Sequence, residues 1–209
     1  MTKDQRVEHM ISIIVLAAGL SSRFKGNKMI HKIDGVPMIR KVVKICLGSQ
    51  AMETIVVVGH EALKIIEQLK DFNCKIVKNT NYSEGQSSSV KEGMKKTDGR
   101  SNAVIILPGD VAFITREIID AVIDHYKQFR SMITVASFEG ISGHPILFDK
   151  SLFKEIMTIS EKNFGLKEVV KNHKKIVAKV ECGTNEVLLD IDSSEDLMKR
   201  ETTFEKSHN

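Results

Sequence analysis

The apolar positions of this chain follow two rhythms that alternate for its first 136 residues. Ile13-Ile14-Val15-Leu16 and Asn102 to Leu107 read as strands buried on both faces, and Thr54 to Val58, the short run Cys74 to Val77, and Met132 to Ala136 read as further strands. Between them, apolar residues recur at helical spacing. Met38, Ile39, Val42, Val43, Ile45 and Cys46 form one such set, with Pro37 in the first turn and Gly48 closing it. Glu61 to Leu69 forms another, with Leu63, Ile66 and Leu69 on its stripe. A third is capped by Thr115 and runs to about Phe129, with Ile118, Ile119, Val122, Ile123 and Tyr126 facing inward. Strand–helix alternation with short connections predicts a parallel α/β sheet.

The rest is less regular. Ile33-Asp34-Gly35 reads as a turn, and Asn79 to Ser89 as a polar loop leading into a helix, with Ser89 and Glu92 spaced for a capping box. Past residue 136 the alternation breaks. A loop and strand span Ser137 to Phe148, and helical segments Ser151 to Ile159 and Leu166 to Val170 follow. Ile176 to Val180 and Glu186 to Ile191 then suggest a hairpin through Gly183-Thr184-Asn185, with a last helix starting at Ser193. Residues 1–200 are expected to form a single domain, and 201–209 a polar tail.

The stretch after the first strand carries the chemistry. Ala17-Ala18-Gly19-Leu20-Ser21-Ser22 brings backbone N–H groups close to any ligand, and Arg23 and Lys28 follow within reach. Strand, exposed amides and two cations make a polyphosphate cradle. It is neither a Walker A loop, since Phe24 stands five residues after Gly19, nor a Gly-x-Gly-x-x-Gly fingerprint.

Ligands of open α/β sheets bind at the carboxyl ends of the strands. Two more features fall there. Gly85-Gln86-Ser87-Ser88-Ser89 combines hydroxyls with a helix start, and Asp110 follows a Pro-Gly turn where a carboxylate can hold Mg²⁺ against phosphate oxygens. Asp190 and Asp192, read as alternate residues of a strand, would share one face, which calls for a cation between or beside them. Gly143-His144-Pro145 is a further compact turn.

Composition excludes several classes. Aromatic residues make up 5% and Trp is absent, and a net charge of +4 is thinly spread, so nucleic acid is not an expected partner. The densest basic run, Lys171-Asn172-His173-Lys174-Lys175, reads as a solvated helix end. Three cysteines, odd in number and far apart, suggest neither a zinc site nor a disulfide framework. No signal-peptide core or membrane-spanning run is visible, so a cytoplasmic location is expected.

Taken in order, Leu16-Ala17-Ala18-Gly19 with Arg23 and Lys28, Gly85 to Ser89, Leu107-Pro108-Gly109-Asp110, Gly143 to Phe148 and Asp190 to Leu197 resemble the motifs of the molybdenum cofactor cytidylyltransferase family. The resemblance implies a three-layer, Rossmann-like nucleotidyltransferase fold of glycosyltransferase-A type, mostly parallel with a small antiparallel part. It implies transfer of CMP from CTP to molybdenum-loaded molybdopterin with release of pyrophosphate, and Mg²⁺ as cofactor. In that frame Arg23, Lys28 and Asp110 are catalytic. Leu16, Ala17, Ala18, Gly19, Gly85, Ser88 and Ser89 join them in binding the nucleotide. Asp110, Asp192 and Asp190 hold metal, and Gly143 and His144 lie on the acceptor side. An apo-molybdoenzyme of the xanthine dehydrogenase type would receive the product. Leu-Ala-Ala-Gly, with Ala18, resembles the cytidine-using branch. The pattern departs at Lys25, at Ala112 and at Lys162-Asn163-Phe164-Gly165. A guanylyltransferase, transfer to another small phosphate, and a non-catalytic chaperone for the dinucleotide are the alternatives.

Overall fold

The computed structural model describes residues 9–24 and 26–191. Its strands are β1 (Ile11–Ala17), β2 (Lys32–Ile33), β3 (Val36–Pro37), β4 (Glu53–Val58), β5 (Lys75–Lys78), β6 (Ala103–Pro108), β7 (Ile133–Phe138), β8 (Ile141–Asp149) and β9 (Val177–Glu181). Its α-helices are α1 (Met38–Gly48), α2 (Ala62–Leu69), α3 (Gln86–Met94), α4 (Arg116–Phe129), α5 (Phe153–Ile156) and α6 (Leu166–Asn172). Seven strands form one sheet in the order β5-β4-β1-β6-β8-β7-β9, and β2 and β3 form a small hairpin. Only β8 runs against its neighbours in the large sheet. The fold is thus α/β and Rossmann-like.

The unbroken apolar runs are explained by layers on both faces of the sheet. Ile11, Ile13, Val15 and Ala17 of β1 point to one core, packed with α1, α2 and α4. Ile14, Leu16 and Ala18 point to the other, packed with α3, α5 and α6. Every apolar position expected inward on α4 is buried, and the Thr115 hydroxyl accepts from the Ile118 N–H as the cap. The Ile33-Asp34-Gly35 turn is the β2–β3 connection, with positive φ at both Asp34 and Gly35 as a tight primed turn requires. Cys46 lies in the core, where burial pushes its thiol up to about 12.

Three local expectations are corrected. On α2 the buried stripe is Ala62, Ile65 and Leu69, and Leu63 is 80% exposed. The small Ala62 sets that face, and a stripe counted from the bulkier residues misses it. Ser89 caps no helix: α3 begins at Gln86, so Ser89 lies inside it. The hairpin expected at 176–191 is absent, because only β9 is a strand and Asn185–Leu188 is a 3-10 turn whose cap, the Thr184 hydroxyl, accepts from Glu186 N–H. Asp190 therefore does not sit in a strand. Asp192, the helix expected from Ser193 and the polar tail lie outside the described residues.

Candidate active site

The chain leaves β1 toward β4 and β5, then crosses to β6 on the other side of β1. A crevice opens where that order reverses, beyond the carboxyl ends of β1 and β6. The register pairs Leu16 with Pro108, and the Gly109 N–H donates to the Leu16 carbonyl at 2.9 Å. This brings Asp110 over the loop that follows β1.

Lys28 meets it there. Its turn, Lys28–Ile30, is capped by the Asn27 side chain, which accepts from the Met29 N–H at 2.9 Å. Lys28 Nζ donates to Asp110 Oδ2 at 2.6 Å, and both side chains are largely buried. Asp110 Oδ1 is buried too, with no hydrogen-bond partner among the described residues.

One cavity, of about 330 Å³, lies over the β1 loop. Leu16, Ala18, Gly19, Ser21, Arg23, Lys28, Tyr82, Gly85, Ser89 and Asp110 are among its walls. A Cβ added at Gly19 would meet no protein atom within 4 Å, so nothing in the fold itself demands glycine there. Ser89 and Ser88 are fixed by Asn79, whose Nδ2 donates to their hydroxyls at 3.0 and 2.8 Å. The Ser88 hydroxyl in turn donates to the Asn81 and Gly85 carbonyls. Ser88 is thus spent on shaping the loop. Neither it nor Ala17, which is buried in the core, reaches the cavity wall.

The N-terminus of α3 is closed from far away in sequence. Glu161 Oε1 accepts from the Ser87 N–H at 2.6 Å. Gly85 has a φ of +100°, and a Cβ there would come within 2.3 Å of Glu161 Cγ. The altered segment around Lys162–Gly165 is therefore packed against the loop that walls the first cavity. Sequence reasoning missed Glu161 and Asn79. Only Asn79, a polar residue directly after β5, left a local trace.

A second cavity, of about 610 Å³, adjoins the first and shares Gln86, Pro108 and Asp110 with it. Ile106, Ile146, Leu166 and Val170 give it apolar walls, while Lys167, Lys171 and Lys174 supply positive charge. Gly143, His144 and Asp190 line it as well. The Ile191 N–H donates to the Asp110 carbonyl at 3.2 Å, which ties this irregular segment beside β6. Asp190 and Asp110 thus share a cavity without a strand to align them. Gly143 is small for a structural reason: a Cβ would stand 2.0 Å from the Val187 carbonyl oxygen. Burial lowers the pKa of His144 below the ordinary imidazole value; Asp190 and Asp110 oppose that and Lys167 adds to it. The basic run read as a solvated helix end instead gives Lys171 and Lys174 to this wall.

Among the described residues, no three His, Cys, Asp or Glu side chains gather closely enough to hold a metal by themselves. The site still fits a magnesium ion bound with nucleotide. Mg²⁺ usually takes one or two carboxylates and completes its shell with phosphate oxygens and water. The unpartnered Asp110 Oδ1 offers such a ligand.

The match to known proteins follows these boundaries. Residues 13–177 match the family model of the MobA-like NTP transferase domain. The chain belongs to this family. It is 29% identical over 184 residues to the bifunctional protein GlmU of Alkaliphilus metalliredigens, covering 85% of this chain and 39% of that one. The chain thus spans about two fifths of the length of that relative. A nucleotidyl transferase from Methanothermobacter has the same fold, with a TM-score of 0.78 at 20% identity over 95% of this chain and 99% of that one. CMP:2-keto-3-deoxy-manno-octonic acid synthetase, solved with CTP, superposes with a TM-score of 0.76 at 14% identity over 95% and 99%. Among the described residues no helix is long and apolar enough to cross a membrane.

Proposed function

We propose that the protein transfers CMP from CTP to molybdenum-loaded molybdopterin, with pyrophosphate as the second product. The observation that carries this reading is the pair of adjoining cavities that share Asp110, Pro108 and Gln86. Two substrates seated in them meet at one wall. The smaller cavity, with its small residues, serine and cations, suits a nucleoside triphosphate. The larger, apolar with lysines on one side, suits an organic phosphate. Leu16-Ala17-Ala18-Gly19 and the likeness to a fold that takes CTP support cytidine over guanosine.

An oxygen of the acceptor phosphate attacks the α-phosphorus of CTP in line. The new P–O bond forms as the bond to the bridging oxygen breaks, and pyrophosphate leaves with the electron pair. Catalysis is then positioning and charge neutralisation. Lys28 is held at the α-phosphate by its ion pair with Asp110, and Arg23 faces the leaving pyrophosphate. Asp110 Oδ1, with Asp190 in the same cavity, would hold Mg²⁺, which would supply charge neutralisation on the phosphates. Gly19 leaves room for the nucleotide to lie against the β1 loop, and Ser89 can bond ribose or base. Neutral His144 stands on the acceptor side beside Gly143.

The test uses CTP labelled at the α-phosphorus, with molybdenum-loaded molybdopterin and Mg²⁺. Label appearing in a dinucleotide of molybdopterin and cytidine is expected, with GTP inert. Transfer from GTP, or transfer only to other small phosphates, would contradict the reading. No transfer by protein that binds both ligands would favour a carrier of the dinucleotide.

A further inference from the structure

The larger cavity is charged unevenly. Asp110 and Asp190 lie together at the end joined to the smaller cavity, because Ile191 hydrogen-bonds to the Asp110 carbonyl. The three lysines come from the other wall. Lys167 and Lys171 are four apart on α6 and so share a helix face, and Lys174 follows one turn later in Lys174–Ile176. Among the described residues none of the three forms an ion pair, and all three line one cavity. Leu166 and Val170 of the same helix give this cavity apolar surface beside them.

One phosphate does not account for this arrangement. A phosphate monoester carries at most about two negative charges, and Lys28 and Arg23 already stand at the reacting end. Lys167 and Lys171 stand about 6 Å apart along the α6 axis, at roughly 1.5 Å per residue, and Lys174 lies beyond the helix end. A buried, unpartnered Nδ1 of His144 adds a polar group to the same cavity.

We propose that Lys167, Lys171 and Lys174 form a second anion subsite, and that the acceptor is a phosphate monoester bearing a further anionic group on a partly apolar body. This rests on the larger cavity being the acceptor's. Neutral-bodied sugar phosphates would fill the reacting end and leave the lysines without a partner. The subsite orients the acceptor so that its phosphate points to Asp110.

Calorimetric titration with two probes tests this, using the full chain with and without α,β-methylene CTP. Glycerol 3-phosphate has one anionic group, and 3-phosphoglycerate has the same three-carbon skeleton with a carboxylate in place of the terminal hydroxymethyl group. The second is expected to bind at least tenfold tighter, with a steeper loss on raising salt. The K171Q/K174Q variant should lose that preference while keeping its affinity for glycerol 3-phosphate, and K171R/K174R should restore it. Equal binding of the two probes, an unchanged preference in K171Q/K174Q, or binding of neither probe would overturn the proposal. The nucleotide analogue is scored separately: its failure to bind would count against the donor site and leave the probe ratio readable.

Discussion

The two cavities differ in how the chain builds them. The smaller one is made where parallel strands end: the loop after β1, the start of α3 after β5, and Asp110 after β6. Its loops are held by hydrogen bonds in which Asn27 and Glu161 accept from backbone N–H groups and Asn79 donates to the Ser88 and Ser89 hydroxyls. The larger one draws on the reversed strand β8, the short helix α6 and the irregular segment around Asp190. A regular sheet thus furnishes the half proposed for the nucleotide, and irregular elements furnish the half proposed for the acceptor.

Several changes would sharpen or break that contrast. The largest effect is expected at the shared wall. D110N leaves Lys28 without its ion pair and removes the carboxylate charge, and turnover should fall by about 10³-fold. Steady-state kinetics of pyrophosphate release read this, and a loss under tenfold would mean the two cavities do not meet at Asp110. G19A comes next. Its methyl group would stand in the smaller cavity and touch no protein atom, so KM for CTP should rise roughly tenfold or more with Tm unchanged. G143A should do the reverse. Its Cβ would run into the Val187 carbonyl, so the fold should lose about 1–3 kcal/mol, or several degrees in Tm for a chain of this size.

The smallest effect concerns pH. Burial holds the folded-state pKa of His144 below its unfolded value. Between those two values the unfolded chain binds more protons, so stability rises with pH there. The contribution is present above about pH 6.5 and is lost as pH falls toward the folded-state value. Comparing Tm from pH 7.5 down to 5.5, wild type should fall more steeply than H144Q. Parallel curves would mean that His144 is not buried in its neutral form.

The same contrast explains what was legible in the sequence. Strands buried on both faces, α1 and α4 all announced themselves, because the sheet's two cores impose unbroken apolar runs and the helices a 3.6-residue period. The cradle after β1 and Asp110 were visible for a related reason: they directly follow such runs. Glu161 was not, since a residue 74 positions away caps α3 and no local pattern encodes that contact. The strand pattern puts Asp190 on one face with Asp192, whereas Asp190 stands in an irregular segment that a backbone hydrogen bond from Ile191 ties to Asp110. Lys171 and Lys174 read as part of a solvated helix end because a basic run there usually is, and only the tertiary fold shows that they line a cavity together with Lys167.

The most direct test of the central claim is a crystal structure of the protein with α,β-methylene CTP and Mn²⁺. The account predicts the base and ribose between the β1 loop and Ser89, the α-phosphate at the wall shared by the two cavities, and the anomalous peak of manganese against Asp110 Oδ1. Nucleotide seated along α6, or manganese bound away from Asp110, would contradict it.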